Sequence, residues 1–278
     1  LIFNIYIFMK IAILITGELR IPDFQNLFNS IKNYDIYIST YTEYYDIAKK
    51  LTDNFIITDI KDNLIFNKKT IPYPNIYQWW HLNKLLIYYK KELQNYDILL
   101  KTRSDCYFIK PLTDEYFLNI DKSCFYMNSD HSFYSSVNIF YKLFENYYDD
   151  ILNIYINKGD QYFDINYNNL IESYKNIQIV DNYKEEAKKK QYKYIRRDIY
   201  QGLIELVYPK HIFSSNLDIL VKNIEEKLKN NIDIDNKEYC NLFKSGNPNF
   251  GSEKYIFLNA INKVIIKKFN LPTIGIIY

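Results

Sequence analysis

The chain has 278 residues, 48% of them hydrophobic and 24% charged, with a formal net charge of +2 from 35 basic and 33 acidic side chains. That composition belongs to a globular protein able to bury a core and excludes a disordered or fibrous chain. The near balance of charge excludes a global field directed at nucleic acid or membrane, so any anion must be met by local charge.

Cys106, Cys124 and Cys240 stand far apart with no CxxC spacing, against a structural zinc site or a disulfide framework and in favour of reduced thiols and a cytoplasmic setting. The apolar opening Leu1–Phe8 has no basic flank before it and no small-residue cleavage site after it. Lys10 cuts that stretch well below the roughly 20 residues of a spanning helix, so no transmembrane segment is expected. Met9 is the expected natural start, with residues 1–8 an extension. Nothing repeats at a fixed period, which leaves one expected domain over 9–278, in two halves at 9–110 and 111–278.

Lys10–Gly17 is a short continuous apolar run ending at a glycine, the pattern of a strand buried on both faces of a parallel sheet. Pro22-Asp23 opens a helix with Phe24, Leu27, Phe28 and Ile31 at helical spacing. Tyr34–Thr40 reads as a second strand and Phe55–Thr58 as a third. After a loop punctuated by Pro72 and Pro74, a helix is predicted from Asn75 with the apolar stripe Trp79, Leu82, Leu86, Tyr89 and Leu93, ending before Tyr96.

The strand Asp97–Lys101 comes next. This alternation predicts an α/β fold with a mostly parallel sheet covered on both faces, whose ligands bind beyond the carboxyl ends of the strands. Gly17, Thr40 and Arg103–Asp105 all fall at such ends. Further on, Ser123–Met127 is expected as a strand, Ser136–Ile154 as a helix and 155–200 as a polar segment. A last helix from Ser252 and a closing strand at Thr273–Ile277 complete the reading.

No GxGxxG, Walker A, HExxH or GxSxG pattern occurs, so the dinucleotide, P-loop, zincin and hydrolase readings lose their usual support. The strongest chemistry lies in Tyr96–Phe108, YDILLKTRSDCYF, where polar groups follow directly on a buried strand and are costly unless a ligand or network satisfies them. Asp105 is of the type that holds magnesium or manganese, which take oxygen ligands and complete their shell with substrate phosphates. Arg103 offers a planar fork to phosphate oxygens, and together the two would neutralise a departing nucleoside diphosphate. The competing reading is a salt bridge from Arg103 to Asp105 that closes the strand end.

LLKTRSDCYF resembles the strand and metal motif of GT-A glycosyltransferases, in which Lys-Thr-Asp-Asp-Asp is a common form, with Arg103 standing where the first acid would be. Together with ILITGELR, DIYISTYTE and YQWWHLNKLLIYYKKELQNYDILLKTRSD, it resembles polysaccharide-assembly transferases of the WavE-like lipopolysaccharide-synthesis group, where Arg-x-Asp replaces Asp-x-Asp. The resemblance covers roughly the first 110 residues and, more faintly, the C-terminal helix.

The resemblance implies a GT-A-like fold with a nucleotide-sugar-binding N-terminal half and an acceptor-side C-terminal half. It also implies a donor pocket around Thr16, Gly17 and Arg20, with Thr40, Tyr41 and Lys101 beside it, and a divalent cation, manganese or magnesium, on Asp105. Gly17 as a plain turn residue and Arg20 as a solvated charge are the alternatives. The implied activity moves a sugar from a nucleoside diphosphate sugar to a glycan, lipid-linked or protein-linked acceptor. Its rivals are a non-catalytic glycan- or protein-binding descendant of the fold and a sugar nucleotidyltransferase.

Asn247–Glu253 resembles the turn before the acidic position that serves as acceptor base in many GT-A enzymes, which makes Glu253 the candidate general base. A carboxylate in a first helical turn is also favoured by the helix dipole alone. Asp130-His131 and His211 are weaker candidates for acceptor contacts or metal ligation. His211 precedes Glu253, where the family order would have a histidine follow. Trp79 belongs to the apolar stripe and is expected in the core, while Trp80 and Gln78 face elsewhere on the same helix and are minor sugar-contact candidates. The run Lys184–Arg197 suits a solvated face or peripheral contact with anionic lipid or glycan.

Overall fold

The computed structural model describes residues 9–21, 24–59, 75–108, 110–129, 132–156, 164–178, 217–234, 252–268, 271 and 273–274. Residues 1–8, Pro22, Asp23, Pro72, Pro74, Asp130, His131, the run 184–197, His211, Cys240, the turn 247–251 and 275–277 lie outside the described residues. Helices flank a mixed, mostly parallel seven-stranded sheet, and the protein is of the α/β class. The chain divides into two compact units, one of residues 1–124, 131–148 and 269–278, the other of 125–130 and 149–268. This grouping differs from a single cut near residue 110, because residues 131–148 rejoin the first unit.

In the first unit the chain runs β1 (Ile11–Thr16), α1 (Phe24–Ile31), β2 (Asp35–Tyr41), α2 (Tyr45–Leu51), β3 (Phe55–Thr58), α3 (Asn75–Tyr88), α4 (Lys90–Leu93), β4 (Ile98–Thr102) and β5 (Tyr107–Phe108). β6 (Phe125–Ser129) belongs to the second unit, and β7 (Ser132–Ser136) with α5 (Val137–Phe144) to the first. α6 (Tyr147–Ile156), α7 (Tyr167–Gln178), α8 (Leu217–Lys229), α9 (Ser252–Lys263) and β8 (Ile266–Lys268) follow, and β9 (Thr273–Ile274) pairs with β5.

β1 is buried at every position: parallel neighbours, β2 and β4, close both of its edges, and α3 packs against it. β3 extends the sheet beyond β2, also in parallel, and β7 lies antiparallel against the far side of β4. The chain thus leaves β1 toward β2 and β3 and returns to β4 on the opposite side. Strand order reverses between β1 and β4, so their carboxyl ends lie at the position where doubly wound sheets take ligands.

One face of this sheet is covered by α3, whose stripe residues Trp79, Leu82 and Leu86 are buried. Trp79 stacks on Phe133 and Phe144 and meets Tyr147 edge-on, with ring centroids 6.1, 6.0 and 4.7 Å away. Aromatic clusters of this kind carry a large share of core burial. The helix expected to run unbroken to Tyr96 is interrupted at Tyr89, where ψ of 24° leaves the helical region and the ring packs against Tyr37 at 4.9 Å. Likewise the single helix expected over 136–154 is two helices, α5 and α6, broken after Phe144.

In the second unit β6 and β8 pair in parallel, and the Ile266 amide donates to Ser173 Oγ on α7 at 2.8 Å. α7 lies within the segment expected to be only polar, yet it buries Leu170, Ile171 and Tyr174. Among the described residues no helix is long and apolar enough to cross a membrane.

Candidate functional site

The turn after β1 is built around Gly17, whose φ of +89° lies in the left-handed region that disfavours a Cβ. Both of its main-chain groups are tied to β2. The Gly17 amide donates to the Ser39 carbonyl at 3.0 Å, and Thr40 Oγ1 donates to the Gly17 carbonyl at 2.7 Å. Thr40 is fully buried, so its hydroxyl shapes the turn. Beyond Gly17, Leu19 is buried while Glu18 and Arg20 are exposed and paired with each other.

The turn after β4 carries Arg103, Ser104 and Asp105. Arg103 donates from Nε to Asp105 Oδ1 at 2.9 Å and from Nη2 to Oδ2 at 2.6 Å, a bidentate pair of the stronger, charge-assisted kind. The carboxylate is the more enclosed partner, with 7% of its side chain exposed against 26% for Arg103. Ser104 Oγ donates to the Glu18 carbonyl at 3.0 Å and so joins this turn to the one after β1. The Cys106 amide donates to the Arg103 carbonyl at 3.2 Å. Burial, and then the neighbouring Asp105, push the Cys106 thiol up from its usual range. Thr102 and Ser132 share a hydroxyl hydrogen bond of 2.9 Å at the end of β4.

A polar layer lies between these strand ends and α3. Lys101 is buried, donates to Gln78 Oε1 at 3.2 Å and sits 5.5 and 5.4 Å from the ring centroids of Trp79 and Phe133. His81 is buried, and its Nδ1 is 2.8 Å from Ser39 Oγ. Burial holds the imidazole neutral by lowering its pKa to about 3. Thr16 is in register with Ser39 on the parallel neighbour and shares its face. Thr16 Oγ1 and His81 Nε2 are both buried and make no hydrogen bond. Tyr41 packs edge-on against His81 at 4.7 Å, and burial followed by Glu18 raises the pKa of its phenol.

Thr16, Gly17, Arg20, Thr40, Lys101, Arg103 and Asp105 therefore lie in one unit, at or just beyond the carboxyl ends of β1, β2 and β4. Glu253 is the second residue of α9, in the other unit, and its side chain lies outside the described residues. Trp80, expected on a face apart from the core, is instead buried, with Lys84 Nζ 5.2 Å from its ring centroid. Sequence reasoning passed over His81 and Ser39. The one signal was a histidine in YQWWH beside the apolar stripe, a position on the buried side of the helix.

The residues at Asp105 do not fit a divalent cation as they stand. Both carboxylate oxygens accept from Arg103, so the guanidinium occupies the edge a cation would use. Among the described residues, no three His, Cys, Asp or Glu side chains stand together as a ligand set. No family model matches the chain, and no curated protein is found to match it.

Proposed function

We propose that the protein is a glycosyltransferase that moves a sugar from a nucleoside diphosphate sugar to a glycan, lipid-linked or protein-linked acceptor, acting in the cytoplasm. The observation that carries this reading is the Ser104 to Glu18 hydrogen bond at the switch point. It joins a glycine turn and an arginine turn at the ends of the adjacent strands β1 and β4. A donor diphosphate over these turns would meet the Arg103 fork, which stabilises the charge that develops as the nucleoside diphosphate leaves. Glu253 enters the proposal on sequence grounds, as the carboxylate that takes the acceptor hydroxyl proton.

Thermal unfolding of the full chain against uridine, guanosine, cytidine and adenosine diphosphates tests the reading. One of them is expected to raise the midpoint, as any ligand that binds only the folded state does. A flat response to all four, with and without manganese, would sink it.

The bidentate Arg103–Asp105 pair favours a second reading, a non-catalytic glycan- or protein-binding descendant of the fold, because the pair closes the turn without any ligand. Transfer of labelled sugar to an acceptor separates the two. Release of pyrophosphate from a nucleoside triphosphate and a sugar phosphate would instead identify a nucleotidyltransferase.

A further inference from the structure

We infer that Asp105 is a positioning residue and not a metal ligand: it holds the Arg103 guanidinium as the cation that meets the donor diphosphate, and donor binding requires no divalent metal. The inference rests on the glycosyltransferase reading and assigns the counter-charge at that site.

Three observations carry it. First, the guanidinium is gripped along one side, from Nε and Nη2, by both oxygens of a single carboxylate. A fork held on that side is fixed in plane, the preorganisation that suits a guanidinium for meeting a phosphate group. Second, the carboxylate is the inner partner and the guanidinium the outer one, so charge presented outward from this pair is positive.

Third, the segment between them is anchored. Ser104 is bonded to the Glu18 carbonyl and the Cys106 amide to the Arg103 carbonyl, so turning Asp105 outward to a cation would break the bidentate pair and strain both anchors. A dication placed on Asp105 would also lie within a few ångströms of the guanidinium, where like charges repel strongly.

The test uses the full chain and the nucleoside diphosphate that stabilises it, with affinity measured by calorimetry in excess EDTA and again in manganese chloride. The expected result is an affinity unchanged within about threefold between the two, a difference of about 0.65 kcal/mol at most. Binding that is lost in EDTA and restored by manganese would overturn the inference and leave the function standing. Absence of binding in both would overturn the function and the inference with it.

A second measurement isolates the role of Asp105. Arg103→Ala should lower affinity at least tenfold, and millimolar guanidinium ion should restore part of it while Asp105 is present to hold the ion. The double variant Arg103→Ala, Asp105→Ala should show no such rescue. Equal rescue in both variants, or none in either, would overturn the positioning role, and neither pattern follows from a change in stability alone.

Discussion

Ser104 Oγ donates to the main-chain carbonyl of Glu18 at 3.0 Å, across a separation of 86 residues in sequence. The turns after β1 and β4 are therefore one connected structure. Ser104→Ala should lower stability by about 1 kcal/mol, the net worth of one such hydrogen bond. If the bond aligns the donor site, nucleotide affinity should fall by more than stability does. Urea unfolding and nucleotide titration of the same variant measure both, and a variant that loses stability alone would remove Ser104 from the site.

Gly17→Ala should cost about 1–2 kcal/mol, because φ of +89° is disfavoured for any residue with a Cβ. The cost comes from the backbone and not from crowding. An added Cβ would meet Gln78 Cβ at 4.0 Å, an ordinary contact. Chemical denaturation gives the number directly, and an unchanged midpoint would show that the turn adopts another conformation in solution.

Trp79→Ala should cost about 3–5 kcal/mol, the usual range for deleting a buried aromatic ring. Trp79 is almost fully buried and packs on Phe133, Phe144 and Tyr147, so no nearby surface can collapse to refill the space without moving that cluster. Soluble yield and thermal midpoint should both fall. A near-neutral result would be incompatible with this packing.

His81 makes stability depend on pH. Its folded pKa is lowered to about 3, so between that value and the ordinary value of 6.5 the unfolded chain binds a proton that the folded chain does not. Its contribution to stability is whole above pH 6.5 and is lost as pH falls toward 3, at about 1.4 kcal/mol per pH unit at most. Unfolding free energies at pH 7 and pH 5 should differ accordingly, and His81→Gln should flatten the slope. Equal slopes in the two proteins would show that other groups control the acid limb.

How much of this was legible in the sequence depended on whether burial left an apolar trace. β1 and β4 were readable because each is an inner strand whose sequence is mostly aliphatic. β7, SFYSS, was not, although all five residues are buried, because three of them are serines. Their hydroxyls are satisfied by Thr102, the Lys122 carbonyl and the strand's own backbone, partners that periodicity does not reveal. α7 was missed although Tyr167, Leu170, Ile171 and Tyr174 recur at helical spacing, because the asparagines, glutamate, serine and lysine around them made the segment read as polar.

In the site, the spacing of Arg103 and Asp105 was plain, but whether the carboxylate faces a cation or a guanidinium is a matter of side-chain direction. His81 left only its place in YQWWH beside the apolar stripe. Its partner, Ser39, lies 42 residues away and becomes a neighbour only once α3 has docked on β2.

The paired hydrogen bonds that tie Gly17 to Ser39 and Thr40 bear on the thermodynamics of any ligand received there. A loop that must be ordered on binding charges its lost freedom against affinity, whereas this turn gives up that freedom when β2 docks beside β1. Its amide should accordingly exchange with solvent deuterium as slowly as the central strands. Ligand binding should slow that exchange very little, because the turn is already in the shape in which it would be used.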